Sequence, residues 1–436
     1  MMLPRNLQAV LRTRIGSVML PALVIGVIVA TAAPTSAAPA SAPAGTSVGT
    51  SVGTQVGLRV GLRARTTAAS ALAADGFYQP PDPLPAGSPG DVIRYRASAS
   101  PVGSASAWQV LYRSTTALGA ATAVSGTVLV PAAPYPGGGA RPVVAYAPGT
   151  QGWGDQCAPS ISIASGLFDE QFAVTNLLDR GWAVVVTDYP GLGTPGTETY
   201  NVGTAEGYAV LDSLRAATRL TVAGLSTTAT MGIEGYSQGG AAADWAAALQ
   251  PTYAPELPLA GVAGGGTPAN LQAVAANING TLWFAFLAGT ALGFDAAYPS
   301  INLNSYLTPV GRLAFAALNT LCQVPALALY AGHRIEDFTI GGINPVTVPA
   351  IAAVLSANNL GGRTPRAPLL QYHGLVDEII PWSVESTLHS TYCAQGVVTQ
   401  LKGYLADHVL TQVVAQGDVV GWLAARLAGA PAPSNC

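Results

Sequence analysis

The chain has 436 residues, of which half are hydrophobic and only 9% are charged, and its formal net charge is −3. This small negative charge provides no field that would attract nucleic acid, so no nucleic-acid partner is expected. Beyond the N-terminal segment no run of about 18 apolar residues occurs, so the high hydrophobic content does not indicate membrane spans.

Residues 1–38 have the pattern of a secretory signal peptide. Arg5, Arg12 and Arg14 form a basic start, Ile15–Ala30 is an apolar segment, and small residues around 36–40 offer cleavage sites. We therefore expect a secreted protein, either extracellular or associated with the cell wall. The alternative, a retained membrane anchor, is disfavoured by the short apolar segment and its Pro/Ala-rich flank.

Residues 39–75 are rich in Ala, Gly, Ser, Thr and Val and contain a four-residue repeat of the form Thr-Ser-Val-Gly. The repeat has no period that would give a helix or a strand a buried face, which is typical of a flexible linker or a pro-segment. The folded domain is expected to cover residues 76–436.

Short apolar segments separated by turn residues predict a series of β-strands. They are Val92–Arg96, Gln109–Arg113, Ala123–Val130, Pro142–Ala147, Ala183–Asp188, Met231–Ile233, Leu259–Ala263, Leu369–Tyr372 and Val398–Leu401. Helices are predicted between the later strands, at Ala205–Arg219, Ala241–Leu249 and Trp382–Gln395, and a closing helix is predicted after the last strand, at Thr411–Leu427. Strands that alternate with helices indicate an α/β fold, with a mostly parallel sheet covered by helices on both faces.

The alternation stops at about residues 266–366. Three apolar segments there, Leu271–Leu287, Leu313–Leu329 and Val348–Leu355, predict helices with few charges. We expect a helical cap inserted over the active edge of the sheet. Most of its apolar positions serve helical packing, but the cap is also suited to line a tunnel for an acyl chain.

The most informative motif is Gly235-Tyr-Ser-Gln-Gly239, which fits G-x-S-x-G between a predicted strand and a predicted helix. This setting is that of a nucleophile elbow, in which a sharp turn exposes the serine hydroxyl. The same pattern occurs around Ser47 and Ser51, but neither lies between a strand and a helix. Ser237 is therefore the predicted nucleophile.

A serine hydroxyl needs a base to accept its proton, and in α/β-hydrolases the chain order is serine, acid, histidine. Of the four histidines, His408 lies in the loop expected after the last predicted strand, from which a base could reach Ser237, and it is the predicted base. His389 is the second candidate and lies in a predicted helix. His333 falls in the cap, and His373 precedes the candidate acids.

Asp377 ends a predicted strand between the serine and His408, so it is the predicted acid. A carboxylate there can bind Nδ1 of His408, fix its tautomer and stabilise the imidazolium. Glu378 is expected to point away from the site, and Asp407, as the neighbour of the base, is expected to face the opposite way.

The oxyanion of the reaction needs two backbone N–H donors. We expect one from Gln238 at the start of the helix, and the other from Thr150 or Gln151, in the glycine-rich loop after the Pro142–Ala147 strand.

The four cysteines, Cys157, Cys322, Cys393 and Cys436, predict two disulfides in a secreted chain, with three possible connectivities. None has C-x-x-C spacing and no histidine lies near in ligand spacing, so no metal site is expected.

Together these motifs resemble the secretory lipase family of yeasts and actinobacteria, α/β-hydrolases with a helical cap, from about Phe77 to Cys436. The carriers are Phe77-Tyr78, residues 147–151 and 155–160, Asp188-Tyr-Pro-Gly-Leu-Gly193, the Ser237 motif, His373-Gly-Leu-Val-Asp377 and Asp407-His408. The resemblance implies the triad Ser237, Asp377 and His408 and the bridges Cys157–Cys322 and Cys393–Cys436. The chain departs from yeast members at residues 149–154, which read Gly-Thr-Gln-Gly-Trp-Gly in place of a Tyr-x-Asp stretch.

The resemblance implies, and the predicted triad favours, a serine hydrolase of triacylglycerols or other carboxylic esters. It acts through an acyl-enzyme on Ser237 without a cofactor. Its expected partners are a lipid or ester substrate and, transiently, a lipid interface. Two alternatives stay open: an acyltransferase on the same fold, and a non-catalytic lipid-binding surface protein.

Overall fold

The computed structural model describes residues 75–436. The predicted signal peptide, and the whole of the predicted linker except Asp75, lie outside the described residues. No helix in the described range is both long enough and apolar enough to cross a membrane.

Nine strands form a single sheet in the spatial order β1-β2-β3-β5-β4-β6-β7-β8-β9. They are β1 Val92–Ser98, β2 Ala105–Thr115, β3 Ala121–Pro131, β4 Val143–Ala147, β5 Ala183–Thr187, β6 Met231–Tyr236, β7 Leu259–Gly265, β8 Leu369–Gly374 and β9 Thr399–Tyr404. The first three strands form an antiparallel meander that joins β5, and all later pairs are parallel. The central strands are buried along their whole length, as expected for a parallel sheet covered on both faces.

Helices cover both faces of this sheet, which confirms the predicted fold class. Outside the cap they are α1 Pro159–Ser165, α2 Gln171–Leu178, α3 Gly203–Arg219, α4 Gln238–Tyr253, α10 Trp382–Ala394 and α11 His408–Leu427. Helices α3, α4 and α10 belong to one hydrophobic core, whereas α2 and α11 pack in a second core on the other face. The sequence patterns did not predict the two short helices α1 and α2.

The cap lies between β7 and β8 and contains five helices. They are α5 Leu271–Ile278, α6 Phe284–Ala297, α7 Pro309–Leu318, α8 Gln323–Tyr330 and α9 Pro349–Ala357. Two predictions were therefore wrong, because the continuous helices expected at Leu271–Leu287 and Leu313–Leu329 are each two helices.

The first break falls at Gly280, whose backbone φ of 91° lies in the region that residues other than glycine rarely adopt. The second falls at Cys322, whose backbone is extended and pairs with Gly152 in an isolated antiparallel bridge. A local periodicity does not report pairing with a distant segment, so the apolar pattern did not reveal the break at Cys322. It did not reveal the break at Gly280 either, because the pattern of apolar residues continues on both sides of this glycine.

Candidate active site

Ser237 occupies a strained turn between β6 and α4, with φ 60° and ψ −122°. Its N–H donates to the carbonyl oxygen of Gly265 on the neighbouring strand, at 2.9 Å. The two glycines of the motif are required by space: a Cβ at Gly235 would clash with the carbonyl oxygen of Gly239, and one at Gly239 would clash with that of Ala147. The serine therefore stands at the carboxyl ends of the parallel strands, where an open α/β sheet forms its sites.

His408 lies against this serine, with its Nε2 atom 2.9 Å from Ser237 Oγ. The expectation that His408 sits in a loop was wrong, because it is the first residue of α11. Asp407 starts the helix three residues earlier than predicted, since its side chain caps the N–H of Leu410 at 2.8 Å. The ring of Tyr236 packs on the imidazole, and its hydroxyl donates to the His408 carbonyl at 2.6 Å.

Asp377 completes the chain of hydrogen bonds, with Oδ2 2.6 Å from His408 Nδ1. Its other oxygen accepts the N–H groups of Ile379 and Ile380, at 2.9 and 2.8 Å. Burial alone would raise the pKa of Asp377, but the hydrogen bond and charge of His408, together with the charge of His373, hold it below its usual value.

The two other acids considered near the base do not contact its imidazole nitrogens. Glu378 accepts the backbone N–H of His408 at 3.2 Å, and Asp407 caps the helix. Both therefore fix the position of the helix start, while Asp377 alone of the three is bonded to the ring.

Two of the remaining histidines are engaged elsewhere. Nδ1 of His389 lies 3.0 Å from Gln371 Oε1, and burial lowers the pKa of this histidine. His333 is exposed on the cap, 3.5 Å from Asp337.

The fourth histidine, His373, lies behind the acid. Its Nε2 atom is 2.7 Å from the carbonyl of Ile380 and 3.4 Å from Asp377 Oδ2, while its Nδ1 atom is 3.2 Å from Glu385. Burial would lower the pKa of His373, yet the hydrogen bond and charge of Glu385 and the charge of Asp377 raise it. A positive charge there supports an ionised Asp377.

Gln238 begins α4, so its backbone N–H points out of the helix start beside the serine. Its side chain was not anticipated to have a role, but it donates to two buried carboxyl groups, Glu198 and Glu206, each at 2.8 Å. Burial raises the pKa of Glu206 to about 8 and that of Glu198 well above its usual value. No sequence pattern marks this pair, because a buried acid looks like a surface acid until the fold is known.

Thr150 and Gln151 follow β4, in the loop that packs on the Ser237 turn. The Thr150 hydroxyl is 2.7 Å from the hydroxyl of Tyr200, and the Gln151 amide donates to Asp169 at 3.0 Å. Within residues 75–436, neither their backbone N–H groups nor that of Gln238 donate to another backbone or side-chain group. Unlike Gln238, neither residue lines the cavity at the serine, so which of them is the first oxyanion donor stays a prediction.

A small pocket of about 30 Å³, lined mainly by apolar side chains, lies at Ser237 beneath the cap. A second small pocket, of about 40 Å³, adjoins it, and the two share Leu271, Ala275, Leu287 and Thr290 in their walls. The second is lined almost entirely by aliphatic and aromatic side chains from the cap, including Phe294.

Two disulfides join the pairs that the resemblance implied, Cys157 with Cys322 and Cys393 with Cys436. The first links the segment after β4 to the start of α8 in the cap. Of the described residues, one group of His, Cys and acidic atoms is close enough to suggest a metal, but it consists of His389 and the two cysteines of the second disulfide. Disulfide sulfurs cannot act as thiolate ligands.

The sheet, the strained serine and the hydrogen-bonded histidine and aspartate define an α/β-hydrolase of the Ser-His-Asp type. A narrower assignment comes from comparison with known proteins. The chain belongs to the secretory lipase family, whose sequence profile matches residues 162–435. The predicted family and the enzyme class, carboxylic ester hydrolases, are thereby confirmed, and the family supports secretion.

Similar proteins include a secreted triacylglycerol lipase of Malassezia globosa, which is 29% identical over 383 residues, covering 83% of this chain and 82% of that protein. A probable inactive lipase of Mycobacterium tuberculosis is 30% identical over 376 residues and 82% of each chain. Among solved structures, Candida antarctica lipase A in its closed state has a TM-score of 0.75 at 24% identity, covering 84% of this chain and 90% of that one. The relatives therefore include both a lipase and a protein named as inactive.

Proposed function

We propose that the protein is a serine lipase that works through an acyl-enzyme. Ser237 attacks the ester carbonyl, His408 takes the serine proton and then gives it to the leaving alcohol, and Asp377 stabilises the imidazolium. Water, activated by the same histidine, releases the acid. The observation that carries the proposal is the unbroken chain of hydrogen bonds, 2.9 Å from serine to histidine and 2.6 Å from histidine to aspartate. These side chains perform every proton transfer, so the reaction needs no cofactor.

The proposed hydrogen-bond donors to the oxyanion that forms in this reaction are the backbone N–H of Gln238 and that of Thr150 or Gln151. The free N–H groups and the contact between the loop and the Ser237 turn support the assignment. Donors that are already fixed before the reaction stabilise the developing charge without having to reorganise.

The proposed substrate class rests on the two adjoining apolar pockets under the cap. Their aliphatic lining offers a long acyl chain a path away from Ser237, which favours lipid esters such as triacylglycerols over small polar esters. The similarity to a secreted triacylglycerol lipase supports the same class.

A lipid surface is the proposed partner of the exposed apolar patch beside the triad. Seven large apolar side chains, each close to half exposed or more, form this triad-side patch: Leu375, Val376, Leu405, Val409, Leu410, Val413 and Val414. Backbone hydrogen bonds from Leu375 to Tyr404 and from Val376 to Ala406 hold its two loops together. Exposed apolar side chains grouped on neighbouring segments are typical of interaction sites, and these seven lie on the segments that carry the acid and the base.

Residues 1–38 are the proposed secretion signal, removed on export. N-terminal sequencing of the protein purified from culture medium tests this. The proposal requires a start beyond the apolar segment Ile15–Ala30, and an intact Met1 on exported protein would contradict it.

Hydrolysis of p-nitrophenyl esters with acyl chains of 2 to 18 carbons tests the proposed reaction. Wild type should hydrolyse long chains, and Ser237→Ala should lower kcat by as much as about 10⁶-fold, while Ser390→Ala, an exposed serine on α10, should not. Activity on short acyl chains alone would contradict the assignment as a lipase and indicate a carboxylesterase. Folded protein that hydrolyses no ester would favour a lipid-binding protein or, if esters of an added alcohol form, an acyltransferase.

A further inference from the structure

A buried carboxylate, Glu170, lies beneath the loop that follows β4. It immediately precedes α2 and is 7% exposed. It accepts the backbone N–H of Gly149 at 3.0 Å, the hydroxyl of Tyr146 at 3.0 Å and the side-chain amide of Gln412 at 2.9 Å. In the described part of the chain no basic side chain is bonded to it, so the carboxylate acts only as an acceptor for these three donors.

These bonds connect two parts of the active site that come from distant points in the chain. Gly149 directly precedes Thr150, a candidate oxyanion donor. Gln412 lies one helical turn after His408 on α11. A Cβ at Gly149 would lie 2.6 Å from Glu170 Oε1, so the glycine is needed for the carboxylate to approach the loop. The neighbouring Asp169 adds a bond to Gln151.

We propose that Glu170 is a positioning residue for the oxyanion loop, fixing the Gly149–Gln151 backbone relative to the helix that carries His408. The inference rests on the proposed function, because it assigns a task within that reaction. Oxyanion donors act by being held in place before charge develops, and a displacement of about 1 Å is enough to cost about 100-fold in rate. Loss of the Glu170 carboxylate leaves the Gly149 N–H buried without its acceptor, and the loop has to move to satisfy it.

Glu234 provides a matched control within the same molecule. It is a buried carboxylate on β6, and it accepts the side-chain amide of Gln416 at 2.7 Å. Gln416 lies one turn further along α11 than Gln412. Substitution of Glu234 therefore removes a similar buried bond to the same helix without touching the oxyanion loop.

The experiment compares kcat and KM on p-nitrophenyl butyrate for Glu170→Gln, Glu170→Leu, Glu234→Gln and Glu234→Leu, with Tm measured for each. A glutamine at position 170 can still accept the N–H of Gly149 with its one amide oxygen. It has no second acceptor oxygen for the Tyr146 hydroxyl and the Gln412 amide. We expect kcat to fall about tenfold in Glu170→Gln and about 100-fold in Glu170→Leu, with KM within about twofold, since the interaction belongs to the transition state. The Glu234 variants should keep kcat within about threefold at a similar loss of Tm.

Equal losses of kcat in the two series, or a Glu170 effect confined to KM, would reduce Glu170 to a structural role. Amide hydrogen exchange in residues 147–153 gives a readout that does not depend on catalysis. It should accelerate in the Glu170 variants and stay at the wild-type rate in the Glu234 variants. If the wild type hydrolyses no ester, the proposed function fails, and unchanged exchange in Glu170→Gln would overturn the positioning role separately.

Discussion

At the scale of single residues, the acid of the triad has the most complete set of partners. Asp377 gives one oxygen to His408 and the other to two backbone N–H groups. Its lowered pKa means that the carboxylate stays ionised at pH values where a free aspartate begins to protonate. The imidazolium formed in the reaction therefore keeps its counter-charge to a lower pH than an unperturbed aspartate would allow.

Asp377→Asn should keep the fold but lower kcat by about 10⁴-fold, because the amide favours the wrong tautomer of His408. The measurement is steady-state hydrolysis of a short p-nitrophenyl ester. Glu378→Gln is the adjacent control, since within the described residues the Glu378 carboxylate is hydrogen-bonded only to the backbone N–H of His408, and it should retain at least about a tenth of the activity. Similar losses in both variants would show that the acid role is not specific to Asp377.

The residues proposed to carry the chemistry could be predicted from short motifs and from their order along the chain. Ser237 has its motif, and the order of chain elements leaves few partners for it. Glu170 could not be predicted, because it lies between two short helices that no periodicity revealed and its donors come from residues 146, 149 and 412. The same holds for Glu198 and Glu206, whose partner Gln238 is known only once the sheet is folded.

At the scale of elements, helix α5 forms a wall shared by both cavities. Ala275 faces each of them. Ala275→Leu should narrow the passage at this point, so that kcat/KM for a 16-carbon ester falls at least about tenfold while that for a two-carbon ester changes little. The ratio of the two rates is the measurement, and an equal effect on both esters would contradict an acyl path between the cavities.

The first turns of α11 present part of the triad-side patch. Replacing Leu405 and Val413 by aspartate should weaken binding to neutral phospholipid vesicles at least about tenfold, because burial of two such side chains contributes about 3 kcal/mol or more. Hydrolysis of a soluble short ester should persist. The control pair is Leu313 and Val324, exposed on the cap. If only the control variant lost binding to vesicles, the lipid-binding surface would have to be assigned to the cap instead of the triad-side patch.

The boundaries of the cap helices mark the limit of element prediction. The apolar period located every central strand. It missed the breaks at Gly280 and Cys322, where a left-handed glycine and a bridge to Gly152 interrupt the helices. The break at Cys322 depends on a tertiary contact, whereas the break at Gly280 uses the conformational freedom of a single glycine.

At the scale of the whole molecule, several acids are buried with no basic partner among residues 75–436. Burial raises the pKa of Glu170 and of Glu234 to about 7, and that of Glu206 to about 8. Each binds its proton more tightly in the folded state, so its contribution to stability is complete below about pH 4.5 and is lost as the pH rises towards 8. The contribution of Asp377 to stability has the opposite dependence on pH, because its pKa is lowered. That contribution is lost only as the pH falls below this range.

The free energy of unfolding should therefore decrease between pH 5 and pH 8. We expect Tm to be higher at pH 5 by roughly 5 °C or more. Thermal unfolding across this range is the measurement, and Glu234→Gln should flatten part of the slope because its amide does not titrate. A Tm that is constant or rises towards pH 8 would contradict the assignment of these buried acids.

The bridge between Cys157 and Cys322 has a further consequence for a protein exposed to extracellular proteases. It closes a ring with a sequence separation of 165 that contains Ser237 and exposed cap positions such as Leu282 and Leu313. Asp377 and His408 lie outside the ring. A single proteolytic cut anywhere within it leaves the two fragments covalently joined, so the nicked molecule would run as one band on a gel and separate into two only after reduction.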